Sequence, residues 1–95
     1  FFCCNDAVAL SLMQALQERG YQIPHDVSVI GFDNIDLAQH TTPPLSTMLV
    51  DKVGMGRLAA QLLINRIEYP ASAHVCSWIR PSLVERQSVA SRPSL

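Results

Sequence analysis

The sequence has 95 residues, of which 48% are hydrophobic and 16% are charged, and its net charge is −1. This balance predicts a folded α/β layer with one modest core, and it excludes a disordered or fibrous segment. The seven Lys and Arg residues are scattered and no apolar run approaches the roughly 20 residues that cross a bilayer, which argues against a nucleic-acid surface and a membrane-spanning helix in this chain.

The chain opens with an apolar run over residues 1–4, which predicts a short strand. Asn5 and Asp6 follow, and both residue types are favoured at the N-cap of a helix. Apolar residues then recur at helical spacing and Gly20 is typical of a helix end, so we predict a helix between Asp6 and Arg19. Since the chain starts without Met and directly in a strand pattern, we expect preceding sequence to be missing.

The second predicted strand is the most apolar part of the sequence. Residues 27–32 read VSVIGF, and such a nearly continuous run with β-branched residues is typical of a central parallel strand covered on both faces. Asp33 and Asn34 interrupt the run, and a short helical turn is predicted around residues 35–39. A third strand is predicted at residues 46–50.

A second amphipathic helix is predicted after Asp51, which is a favourable cap, and Pro70 closes it. Two further short strands are predicted at residues 75–79 and 82–86, and the polar tail over residues 89–95 is expected to fray. Strands that are joined through helices form right-handed parallel crossovers. The element order therefore predicts an α/β protein with a mostly parallel, doubly wound sheet.

Polar residues end two of the predicted strands. In open α/β sheets ligands bind at the carboxyl ends of the strands, where Asn5 with Asp6 and Asp33 with Asn34 are expected. Their carboxylates and amides can form hydrogen bonds with a hydroxyl-rich molecule, and Phe32 can offer it an aromatic face. The same residue types are also common caps and turn formers, so a ligand contact and a purely structural role both stay open for Asp33.

Neither a catalytic set nor a metal site is predicted. The histidines fall in predicted loops without the spacing of zinc ligands, and the cysteines form neither an even set nor a metal-binding spacing. The residues concerned are His25, His40 and His74, and Cys3, Cys4 and Cys76. Unpaired cysteines favour a reducing cytoplasm, and we expect a protein that is not an enzyme and has no cofactor.

Five segments, in order and over almost the whole chain, resemble the LacI/GalR family of transcriptional regulators. They are CNDAVAL at residues 4–10, PHDVSVIGFDN at 24–34, TPPLST at 42–47, MGRLAAQLL at 55–63 and LVERQS at 83–88. The resemblance implies a type I periplasmic-binding-protein-like fold, in which residues 1–88 form most of the C-terminal subdomain of the effector-binding region. The sequence departs from the family at Asp51 and Lys52, where many members have a Pro or an apolar residue.

The resemblance implies a regulator that senses a small molecule. In the family the effector, a sugar, a sugar phosphate or a purine, lies in a cleft between two subdomains, and its binding changes how a homodimer presents its helix-turn-helix headpieces to an operator. The N-terminal subdomain and the headpiece lie outside this chain. The resemblance therefore implies a cytoplasmic protein that contacts DNA only through the headpiece and has no membrane partner.

The resemblance also assigns effector contacts to four positions. Asp33 matches the acidic residue that contacts the effector, and Phe32 matches its aromatic neighbour. Asn5 matches a polar contact on the preceding strand, and Met55 falls where some members place an apolar wall.

Four positions are expected at the dimer interface. By the resemblance, Leu10 and the segment that begins with His40 and Thr41 lie there. Leu10 and Met13 also form a second apolar face on the first helix, whose inward face is expected to carry Leu12 and Leu16, and an extra apolar face needs a partner.

Two alternatives belong to other functional classes. The first is a periplasmic sugar-binding protein of a transporter with the same fold, against which the three cysteines and the segments GFDN and VERQS argue. The second is a small α/β enzyme or its fragment, for which the sequence offers no catalytic set.

Overall fold

A computed structural model describes residues 1–93, and Ser94 and Leu95 lie outside the described residues. The chain divides into two compact units, here called unit 1 (Phe1–Val50 with Ser82–Leu95) and unit 2 (Asp51–Pro81). The elements are helix α1 (Asp6–Glu18), a 3₁₀ turn (Asp36–Gln39), strand β1 (Thr47–Leu49), helix α2 (Lys52–Glu68) and strand β2 (Ser82–Val84). The predicted division at residue 88 stays a prediction.

Helix α1 begins and ends where its sequence signals predict. The Asn5 side-chain oxygen accepts a hydrogen bond from the Val8 amide at 2.9 Å, which satisfies one of the unpaired donors of the first turn. At the other end Gly20 adopts a φ of 87°, a left-handed conformation that glycine tolerates without steric cost. These local signals need no tertiary contact, which is why the sequence located both ends.

The inward face of α1 differs from the predicted one. The buried residues of the helix are Asp6, Ala9 and Met13, whereas Leu12 and Leu16 are half-buried beside the core. Asp6 is fixed in the interior by side-chain hydrogen bonds, and residues three and seven positions further along share its face of the helix. The buried face of α1 therefore contains one polar residue with fixed partners beside two apolar ones.

The sheet of unit 1 joins four segments. Parallel bridges link Phe2 to Ile30 and Ile30 to Ser46, and another links Asp33 to Leu49. Strand β1 then pairs antiparallel with β2, with Thr47 opposite Val84, Met48 opposite Leu83 and Leu49 opposite Ser82. The predicted α/β class with parallel neighbours is confirmed, although the first two segments pair through isolated bridges rather than through continuous ladders.

The runs predicted as strands at residues 1–4 and 27–32 form isolated bridges and no strand, and two further strand predictions fail in part or in full. The last strand stops at Val84 instead of Arg86, because the Arg86 amide donates to the Ser46 hydroxyl at 2.8 Å rather than to a strand carbonyl. The strand predicted at residues 75–79 is wrong, since this stretch has no strand partner among the described residues. An apolar β-type run indicates a capacity to pair, but a strand also requires a neighbouring backbone.

The core lies in unit 1. It is formed by seven small or apolar residues: Cys3, Ala9, Met13, Ile23, Val29, Ala38 and Leu45. The predicted fraying of the tail stays a prediction for residues 89–93. In this stretch the Ala90 amide donates to the Ser28 hydroxyl at 3.1 Å. The last two residues of the tail lie outside the described part of the chain.

Unit 2 consists of α2 and the segment that follows it. The Asp51 carboxylate accepts a hydrogen bond from the Gly54 amide at 2.9 Å, so the predicted cap is confirmed, and the helix ends at Glu68, before Pro70. None of the α2 residues is buried. Over residues 1–93, neither helix has the combination of length and apolarity that crossing a membrane requires.

Candidate functional site

The structure brings the two predicted polar ends together. The Asp6 amide at the start of α1 donates to the Phe32 carbonyl at 2.9 Å, so the segment that carries Asn5 lies beside the one that carries Asp33. Asn5, Phe32 and Asp33 are each half-buried. The residues that carry a carboxylate, an amide and an aromatic ring therefore lie near one edge of the sheet, as the rule for open α/β sheets predicts.

Asp6 lies in the interior and not at this edge. Its side chain is fully buried, one carboxylate oxygen accepts from the Thr47 hydroxyl at 2.6 Å, and the other accepts from the Ile35 amide at 2.9 Å. Gly31 makes room for it, because a Cβ at that position would collide with the Asp6 carboxylate. The sequence pattern places Asp6 among the candidate ligand contacts, and this prediction needs correction because a buried carboxylate with two partners has a structural role.

The turn that carries Asp33 has an unusual backbone. Asp33 and Asn34 have φ angles of 115° and 57°, in the left-handed half of conformational space that residues with a Cβ rarely adopt. The Asp33 amide donates to the Met48 carbonyl at 2.9 Å, and the Asn34 amide donates to the Thr47 hydroxyl at 3.3 Å. Non-glycine residues in such conformations cluster at functional sites.

The side chains of this turn have different surroundings. The Asn34 side-chain oxygen accepts a hydrogen bond from the Arg86 guanidinium at 2.8 Å, which leaves it little freedom to reach a ligand. Within residues 1–93 no hydrogen bond reaches the Asp33 carboxylate. Asn5 uses its side-chain oxygen as a helix cap, and its amide nitrogen donates to none of the described residues.

Met55 belongs to unit 2, whereas Asn5, Phe32 and Asp33 belong to unit 1. Its side chain is 45% exposed and lines a cavity of about 200 Å³ together with Leu58, Leu62 and Ile79 of the same unit. Its predicted place in the effector site therefore stays a prediction.

A groove of about 330 Å³ runs along α1 in unit 1. It is lined by Leu10, Met13, Gln14, Gln17, Leu37, Thr41 and Thr42. Leu10, Met13 and Thr41, three of the predicted interface residues, thus line one groove. The fourth, His40, is exposed and directly precedes Thr41 in the sequence. Met13 is only 3% exposed and belongs to the core, so it forms part of the groove floor and offers little surface to a partner.

Two features of this groove were not predicted from the sequence, a polar contact at its end and an exposed leucine. The Gln17 side-chain amide donates to the Thr42 carbonyl at 2.7 Å and so fixes the end of α1 to the segment after the 3₁₀ turn. Leu37 is 57% exposed. Its position in a short helical turn was the only available signal, because a four-residue turn has no periodicity.

Two ionisable groups have perturbed environments. The pKa of Asp26 lies below its usual value, because the Gln22 amide donates to its carboxylate at 2.8 Å and His25 contacts the other oxygen. Burial raises the pKa of the Cys3 thiol. Among residues 1–93 no group of three His, Cys, Asp or Glu side chains could hold a metal ion.

Comparison with known proteins identifies the family. The family described as periplasmic binding protein-like domain matches residues 1–89. The ribose operon repressor of Haemophilus influenzae is 40% identical over 90 residues, which are 95% of this chain and 27% of that protein. The HTH-type transcriptional repressor PurR of Vibrio atlanticus is 44% identical over 88 residues, which are 93% of this chain and 26% of that protein.

Solved structures of LacI-type regulators resemble this chain over most of its length. A LacI family regulator from Enterococcus faecalis with bound ribose superimposes with a TM-score of 0.85 and 38% identity, over 94% of this chain and 33% of that one. The CelR–cellobiose complex superimposes with a TM-score of 0.86 and 31% identity, over 92% of this chain and 27% of that one. The chain spans about a quarter of the length of the curated relatives. The chain therefore belongs to the periplasmic binding protein-like family, in the form that LacI-type transcriptional regulators carry.

Proposed function

We propose that this chain is part of the effector-sensing region of a LacI-type transcriptional regulator and that Asp33 contacts the effector. One observation carries the proposal: Asp33 lies in a left-handed turn beside Asn5 and Phe32, and its carboxylate has no hydrogen-bond partner among residues 1–93. A carboxylate at the end of a parallel segment can accept hydrogen bonds from adjacent hydroxyls, and such charge-assisted bonds are worth roughly 1.5 to 3 kcal/mol each.

The effector that suits this edge is a sugar or a sugar derivative. Hydroxyl groups are both donors and acceptors, and they complement the Asp33 carboxylate and the Asn5 amide, while the Phe32 ring can pack on the apolar face of a pyranose or furanose. The ribose and cellobiose complexes of the related regulators support this choice. Met55 supplies an apolar wall to the effector cleft in this proposal.

The rest of the proposal follows from the repressors among the relatives. The full-length protein is a cytoplasmic homodimer without catalytic activity, and it contacts operator DNA only through a headpiece outside this chain. The relatives do not favour the two alternatives, a periplasmic transport component and an enzyme fragment.

The substitution Asp33→Asn in the full-length protein tests the effector contact. It preserves the shape of the side chain and removes its charge, so effector affinity falls about ten-fold or more, at 1.4 kcal/mol per decade. A thermal-shift panel of ribose, ribose 5-phosphate, cellobiose and adenine identifies the ligand, since a molecule that binds only the folded state raises the melting temperature. Calorimetry then gives both affinities.

The matched control is Asp36→Asn, which removes an exposed carboxylate from the neighbouring 3₁₀ turn. Affinity is unchanged in this variant. If Asp33→Asn lowers the melting temperature sharply and leaves the affinity unchanged, Asp33 is a structural residue and the effector contact is refuted.

The groove along α1 is proposed as part of the dimer interface, with Leu10, His40 and Thr41 as its contacts. A carboxylate in an apolar contact is costly unless it is paired, so Leu10→Glu converts the full-length dimer into a monomer in light scattering at micromolar concentration. Val8→Glu, at an exposed position on the opposite side of α1 from Leu10, leaves the dimer intact. A wild-type protein that is already monomeric contradicts the proposal.

A further inference from the structure

The residue that follows β2 by two positions makes an unusual set of contacts. One guanidinium nitrogen of Arg86 donates to the Leu45 carbonyl at 2.8 Å, and another donates to the Asn34 side-chain oxygen at 2.8 Å. Its backbone amide donates to the Ser46 hydroxyl at 2.8 Å. Arg86 therefore connects the C-terminal segment both to the two residues before β1 and to the turn that carries Asp33.

The opposite side of the turn is held by the buried Asp6. The Ile35 amide donates to Asp6, and the Thr47 hydroxyl donates to Asp6 while it accepts from the Asn34 amide. The amides of three consecutive residues, from Asp33 to Ile35, thus all have fixed partners. Asn34 is the middle residue, and among residues 1–93 only Arg86 forms a hydrogen bond with its side chain.

The backbone conformation explains why the turn needs these contacts. Left-handed conformations of non-glycine residues are of higher energy and persist only where the surroundings hold them. The Asp33 carboxylate has no hydrogen-bond partner of its own within residues 1–93, so its direction depends on the backbone on either side. A contact that stabilises Asn34 therefore also fixes the direction of the neighbouring carboxylate.

We infer that Arg86 is a positioning residue, which holds the left-handed turn through Asn34 and so presents the Asp33 carboxylate to the effector. The inference rests on the proposed effector contact of Asp33. Arginine suits this role because its planar fork reaches two acceptors at once, whereas lysine presents a single nitrogen. Both acceptors, the Leu45 carbonyl and the Asn34 amide oxygen, are neutral.

The variant Arg86→Met in the full-length protein removes both guanidinium bonds and keeps most of the apolar stem. We expect amide hydrogen exchange at Asp33 and Asn34 to rise about 5- to 10-fold, as the loss of the partly buried hydrogen bond to Asn34 predicts. If Arg86→Met does not fold, Arg86→Lys keeps the charge and is measured in the same way. Unchanged exchange at both amides overturns the inference.

The matched control is Ser88→Ala, on the same C-terminal segment. The buried Ser88 hydroxyl donates to the Val29 carbonyl and accepts from the Ser46 amide, and it does not contact the turn. This variant loses stability, while exchange at Asp33 and Asn34 changes no more than the global loss of stability accounts for. If Ser88→Ala raises exchange at these two amides as much as Arg86→Met does, Arg86 acts only through general stability and the inference fails.

Affinity for ribose separates this inference from the proposed function. Arg86→Met weakens ribose binding about 5- to 10-fold in the wild type and by less than 2-fold in the Asp33→Asn background, because the two residues act through one carboxylate. If Asp33→Asn weakens ribose binding and Arg86→Met does not, the positioning role of Arg86 is refuted and the effector contact of Asp33 stands. If ribose binds equally to wild type and Asp33→Asn, the proposed contact fails, while the exchange measurement still decides whether Arg86 holds the turn.

Discussion

Helices α1 and α2 begin with the same kind of cap but differ in how much of their surface is buried. Each starts at a side-chain cap, Asn5 in unit 1 and Asp51 in unit 2. Helix α1 buries Asp6, Ala9 and Met13, whereas α2 buries none of its residues, and Ile67 on α2 is 70% exposed. An amphipathic pattern therefore predicts that a helix forms and which of its sides is apolar. It does not predict whether other residues of this chain bury that side.

The first prediction contrasts two glycines, one in each unit. In Gly31→Ala the added Cβ collides with the buried Asp6 carboxylate, so overpacking and lost hydrogen bonds destabilise unit 1 by about 4 kcal/mol. The control Gly56→Ala lies in α2 with nothing within 4 Å of the new Cβ, and alanine stabilises that helix by roughly 0.5 to 1 kcal/mol. Urea unfolding of both variants measures the difference, and equal effects would contradict it.

The second prediction compares one apolar side chain from each helix. Met13→Ala leaves a cavity in the core and costs about 3 kcal/mol, because Met13 is 3% exposed. Leu63→Ala on α2, where the side chain is 62% exposed, changes the stability of the 95-residue chain by less than about 0.5 kcal/mol. Denaturant midpoints provide the measurement. A cost of several kcal/mol for Leu63→Ala would mean that the α2 face is covered.

The third prediction tests whether the cap of α2 acts locally. Asp51→Ala removes the acceptor of the Gly54 amide and destabilises the first turn of the helix by about 1 kcal/mol. Hydrogen exchange of the Gly54 amide rises about five-fold in consequence, at 1.4 kcal/mol per decade, while amides of α1 keep their rates. Accelerated exchange throughout α1 would show that the two units unfold together.

The smallest expected effect concerns pH and the loop of unit 1 around Asp26. The pKa of Asp26 is below its usual 3.8, so its carboxylate stabilises the fold above that value, and this contribution is lost as the pH falls through the lower folded pKa. Asp26→Asn therefore weakens the acid dependence of unfolding below about pH 4. Acid titrations followed by circular dichroism compare it with Asp36→Asn, and identical titration of Asp26→Asn and wild type would contradict the assignment.

Several parts of the candidate site follow from the sequence, because strand ends and turn formers are local features. The approach of Asn5 to Asp33 was expected from the rule that parallel segments end at one edge, and the Asp6–Phe32 backbone bond agrees with it. The structural roles of Asp6 and Asn34 were not predicted. Both look like surface polar residues in the sequence, and only their long-range partners, Thr47 and Arg86, give them structural roles.

The sequence by itself determined the positions of both helices, their caps, the α/β class and the family, since capping, helical periodicity and short motifs depend on neighbours within about four residues. The tertiary structure alone decided which face of α1 is buried, that residues 75–79 have no strand partner in the described part of the chain and that Arg86 reaches Asn34. The physical reason is distance along the chain. Arg86 and Asn34 are 52 positions apart, and no local pattern encodes a hydrogen bond that exists only once the chain has folded.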